Sequence, residues 1–109
     1  MDRDQLSAQL WDAAQRRAAR AAVRFGEGAD SDIRAFAQRG AELILRKHPN
    51  VSVSDAVVRD AETAFERLVD EMVAAASNIP GYRAKYPDVI GERTLSEALS
   101  RLCPVFPIC

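Results

Sequence analysis

Three long stretches of this chain repeat their apolar residues every three or four positions, and an alternating, strand-like pattern never persists beyond a few residues. Together these signals predict helix packed on helix: an all-α, antiparallel bundle of three main helices, with a short C-terminal helix and an apolar tail. The first stretch, about 3–25, sets Leu6, Leu10, Trp11, Ala14, Ala18, Ala21 and Phe25 on one side of a helical wheel before GEGAD ends it. Because that stripe includes Ala14, Ala18 and Ala21, a neighbouring helix can approach closely there.

The second helix is expected over 31–47, with Asp30 or Ser31 as N-cap and Ile33, Phe36, Ala37, Gly40, Leu43 and Ile44 facing inward. Glycine inside a helix costs roughly 1 kcal/mol against alanine, so Gly40 within the stripe predicts close backbone contact with another helix. Pro49 then disfavours helical geometry at His48 and ends the segment. The third helix, about 54–77 with Ser52 or Ser54 as cap, is the longest and reads as the spine. Its stripe of Val57, Ala61, Ala64, Phe65, Leu68, Met72 and Ala75 is widened by Val58, Val69, Val73 and Ala76, enough to meet two neighbours. A connector over 79–93 carries two tyrosines, and TLSE at 94–97 has the pattern of a capping box. A helix over 95–102 follows, with Leu95, Ala98, Leu99 and Leu102 inward, and Pro104 stops it before the tail 103–109.

The 109 residues form one expected domain, long enough to bury roughly two-thirds of the unfolded surface without a disulfide or metal. A net charge of -1 supplies no global attraction to nucleic acid or an anionic membrane. The opening MDRDQLSAQLW lacks the basic-then-apolar pattern of a secretory leader, and apolar runs such as VAAA at 73–76 fall far short of a membrane span. The expected location is therefore the cytoplasm. Arginine far outnumbers lysine and alanine is the commonest residue, the bias of a GC-rich bacterial genome. Charge is uneven along the chain: residues 50–78 hold two basic and six acidic side chains, whereas the first segment holds the basic cluster.

That cluster, Arg16, Arg17, Arg20 and Arg24, steps along a helical face and is the candidate anion contact. Four arginines without an interleaved aromatic make a poor phosphate track, so pairing with the acidic third helix, in the same molecule or a second copy, is the favoured use. A helix-turn-helix-like unit at 33–66 is the other nucleic-acid reading, but its second helix would present a net charge of -4 to phosphates. His48, the sole histidine, has no evident nucleophile or orienting carboxylate and suits a helix C-terminus instead. The acidic pairs Glu66 with Asp70 and Asp70 with Glu71 lack the Glu-x-x-His spacing of bundle metal sites. No cofactor, metal site or catalytic constellation is expected.

Cys103 and Cys109 are candidate redox residues, separated by PVFPI. Zinc would need four ligands, and a disulfide would require the proline-containing stretch to reverse sharply, so free, partly buried thiols are the expectation. Val105, Phe106 and Ile108 each lose roughly 1.5–3 kcal/mol of burial if left in water. The tail is thus expected either to plug its own bundle or to enter a groove on a second molecule. Together with Trp11, whose burial the pattern does not decide, these three are the candidate partner contacts. The leading expectation is a non-enzymatic regulator or adaptor working through protein–protein contacts, including self-association as a homodimer. A nucleic-acid-binding regulator and a thiol redox sensor are the alternatives.

Overall fold

In a computed structural model of the chain, residues 2–26, 28–49 and 52–102 are described. Helix α1 (Arg3–Arg20) opens with a reciprocal cap. The Asp2 carboxylate accepts the Gln5 N–H at 2.8 Å, and Gln5 Oε1 accepts the Asp2 N–H at 3.1 Å. It closes five residues before its apolar period runs out. Ala22 takes a left-handed conformation at φ 57° and donates to the Ala19 carbonyl, while the Val23 N–H reaches back to Ala18. This is the Schellman arrangement, with alanine where glycine is favoured.

The chain continues into a two-residue strand, β1 (Arg24–Phe25), which pairs in parallel with a second, β2 (Val89–Ile90). The Arg24 N–H donates to Asp88 at 2.9 Å and the Gly26 N–H to Ile90 at 2.7 Å. Ala21 and Phe25 therefore do not extend the first helix. Phe25 still reaches the core, where its ring stacks on Trp11 at 5.5 Å.

Helix α2 (Ala29–Lys47) follows Gly28, whose φ of 84° makes the turn. Asp30 and Ser31 accordingly lie inside the first turn instead of capping it, and Asp30 and Asp32 there complement the positive end of the helix. Helix α3 (Asp55–Asn78) is capped by Ser54, whose hydroxyl accepts the Val57 N–H. A single turn, α4 (Tyr82–Lys85), precedes β2, and the last helix is α5 (Glu92–Leu102). Helix α5 starts three residues before its predicted bound. Thr94 lies fully buried within its first turn, accepting the Gly91 N–H and donating to the Gly91 carbonyl, both at 2.8 Å.

The fold is all-α, with the strand pair as its small exception. Arg3 pairs with Glu42, and Arg34 lies over Trp11, so α1 and α2 run antiparallel. Arg16 pairs with Glu62 and Arg20 with Glu66, so α1 and α3 run parallel. Helix α5 packs against α3, and Gly91, just before it, lies near Tyr82, four residues past the end of α3. Helix α1 packs against both α2 and α3, while the broad stripe of α3 is divided between α1 and α5. Leu6, Leu10, Ile33, Phe65, Leu68, Val69 and Met72 fill the space between these helices.

Candidate functional site

The basic cluster is matched to carboxylates within the chain. Arg16 meets Glu62 at 3.0 Å, Arg17 meets Asp70 at 2.7 Å and Arg20 meets Glu66 at 3.4 Å, joining α1 to the acidic edge of α3. Arg24, carried onto β1, meets Asp88 at 3.4 Å. Each pair is partly exposed, so each contributes on the order of 0–1 kcal/mol, less in high salt. Glu66 and Asp70, two of the carboxylates considered for a metal, are engaged by these arginines. Among the described residues no group of three or more His, Cys, Asp or Glu side chains is gathered as a metal site. At the opposite end of α1, a hydrogen bond to Glu42, aided by the charge of Asp4, raises the Arg3 guanidinium above its ordinary pKa.

Trp11 is 8% exposed, with the Phe25 ring stacked on it and the Arg34 guanidinium 4.8 Å from its ring centroid. Its indole is therefore largely a core element with an arginine over it. A small surface recess is lined by Trp11 together with Ser7, Ala8, Arg34 and Gln38. His48 takes the C-cap position of α2 and donates its N–H to Leu45. Cys103, Cys109, Val105, Phe106 and Ile108 lie outside the described residues.

The surface that sequence reading missed lies where the ends of the chain's elements converge. A cleft of about 330 Å³ is lined by Gly26, Tyr82, Tyr86, Val89, Gly91, Glu92 and Arg93. Tyr82 is buried, whereas Tyr86 is 41% exposed, the one large hydrophobic side chain among the described residues that stands open to solvent. The two rings meet at 5.3 Å, and Lys85 Nζ lies 5.4 Å from the Tyr86 centroid. Arg83 fixes the turn beneath them by donating to the carbonyls of Val73 and Pro87, each at 3.3 Å. Glycine at positions 26 and 91 keeps the walls low: a Cβ on Gly26 would come within 2.9 Å of Val89 Cγ1. The two tyrosines were visible in the connector, but their grouping with Gly26 and Glu92 depends on the strand pairing.

Chemically the cleft offers an aromatic floor flanked by one carboxylate and one guanidinium, an arrangement suited to holding another surface. No helix among the described residues is long and apolar enough to cross a membrane. No protein-family model, curated protein sequence or solved structure matches this chain.

Proposed function

We propose that this chain is a small interaction protein that works by contact instead of catalysis, and that its partner-facing surface is the tyrosine cleft at the α4–β2–α5 end. The observation carrying this reading is Tyr86, an exposed aromatic held by a buried neighbour ring and a clamped turn. Tyrosine gives large contact area with few rotatable bonds and is enriched at protein interfaces. Glu92 and Arg93 stand beside each other at the rim. In a two-fold contact the carboxylate of one copy can face the guanidinium of the other, so a second copy of this chain is the partner it fits. The intramolecular pairing of Arg16, Arg17, Arg20 and Arg24 supports this reading over nucleic-acid binding, since a phosphate would have to displace four carboxylates.

Light scattering across a concentration series, under reducing conditions, tests the proposal. A dimer that becomes monomeric in Tyr86→Ala, with unchanged helical circular dichroism, is the expected result. A dimer insensitive to Tyr86→Ala but lost in a chain ending at Leu102 would move the contact to the tail. A monomer at every concentration would remove the self-association reading.

A further inference from the structure

Arg16, Arg17, Arg20 and Arg24 are each met by a carboxylate of this chain, whereas Arg34 has no carboxylate partner among the described residues. Its guanidinium rests over the Trp11 ring, 4.8 Å from the centroid, and an aromatic face attracts a cation without neutralising it. Arg34 and Gln38 lie one turn apart on α2, and Ser7 and Trp11 one turn apart on α1, so the two pairs wall a single recess of about 170 Å³. No acidic side chain lines it. The Gln38 amide and the Trp11 indole N–H have no hydrogen-bond partner among the described residues. No enclosed side-chain nitrogen or oxygen among those residues lacks a partner, so the indole N–H keeps contact with solvent although Trp11 is largely buried. The Ser7 hydroxyl, by contrast, is engaged by the Asp4 carbonyl at 3.2 Å.

We infer that this recess is a binding site for a small monocarboxylate. Its lining offers one guanidinium, one amide and one indole N–H as donors, with no carboxylate to compete for them. Two oxygens in a plane match the fork of a guanidinium, and such charge-assisted bonds are about twice as strong as neutral ones. A single negative charge balances the single positive charge of the lining, whereas a phosphate dianion would leave one in excess. Gln38, beside Arg34, can donate to the same carboxylate, and Ala8 and the indole supply apolar surface for a short carbon chain. At about 170 Å³ the space falls below the roughly 300–1,000 Å³ of pockets that enclose a whole cofactor, so the ligand is a small one. The Trp11 ring holds the guanidinium before any ligand arrives, which lowers the ordering cost of binding. The site lies between α1 and α2 and does not depend on the tyrosine cleft.

Butyrate is the probe, and Trp11, the one tryptophan of the chain, is the reporter. In the ¹⁵N-labelled full chain at constant ionic strength, the indole N–H resonance is expected to move saturably with butyrate and to stay still with butyramide, its uncharged counterpart. Tryptophan fluorescence should saturate over the same butyrate range. Arg34→Gln should weaken the response at least tenfold, the loss expected for one charge-assisted contact. Arg39→Gln, which alters an exposed arginine of α2 outside the recess, should leave it unchanged. Because Arg34 is exposed, circular dichroism of its variant should match that of the unaltered chain. Absence of a saturable shift would overturn the inference, as would an equal response in Arg34→Gln or an equal loss in Arg39→Gln. Sulfate acting at lower concentration than butyrate would overturn the assignment to a carboxylate.

Discussion

The seam between α1 and α3 and the clasp formed by β1, β2 and the start of α5 hold the same chain together by opposite means. Along the seam, apolar side chains pack over several turns and arginines meet carboxylates at the edge, so many similar contacts share the load. At the clasp, a few positions with special backbone or hydrogen-bonding demands act once each: Ala22 and Gly28 at positive φ, Gly26 against Val89, and Thr94 bonded twice to Gly91. The contrast teaches that redundancy and specificity are distributed differently in one small domain. The seam supplies cohesion, whereas the clasp decides where the short elements and the tyrosine cleft are placed.

The comparison can be strained most severely by Leu10→Ala, which removes a fully buried side chain of α1. It should cost about 2–5 kcal/mol in urea unfolding and accelerate exchange throughout the molecule. A loss confined to the clasp would reverse the roles assigned above. Next in size is Thr94→Val, which leaves the Gly91 N–H without its buried partner, while the Gly91 carbonyl keeps the Leu95 N–H, at a cost of about 1–3 kcal/mol. Faster amide exchange at Gly26 and Gly91, with α1 and α3 little changed, is the expected signature of local opening. Uniform acceleration would mean that clasp and seam open as one unit.

Ala22→Gly should act in the opposite direction. An L-residue in the left-handed region costs roughly 1–2 kcal/mol, of which glycine's greater freedom in the unfolded chain cancels a part, leaving a gain of about 0.5–1 kcal/mol. A raised melting temperature would sharpen the view that α1 is stopped by its surroundings, and a lowered one would contradict it. The smallest effect belongs to Arg16→Ala at the exposed edge of the seam, under about 1 kcal/mol and shrinking as salt is added. A larger, salt-insensitive loss would show that its stem, not its charge, matters there.

Much of the seam was legible because its signals are local and repeated. The period of Leu6, Leu10, Ala14 and Ala18, the stripe of α3 and the Ser54 cap each follow from neighbours within a few positions. Pairing of the arginine face with the acidic helix was readable from opposite charge, although only the parallel alignment of α1 and α3 sets which residue meets which. The clasp was not legible. Ala21 and Phe25 continue the helical period, and TLSE mimics a cap three residues inside the true start of α5.

The sequence by itself determined the helical class, the three long segments and their inward faces, because periodic burial sums small local preferences over many turns. Tertiary structure alone decided that α1 ends at Arg20, that Ala22 turns left-handed, and that Thr94 is enclosed within α5. Local chain preference does not favour those choices. They are stabilised by contacts between residues far apart in the chain: Phe25 on Trp11, Arg24 with Asp88, and Gly26 on Ile90.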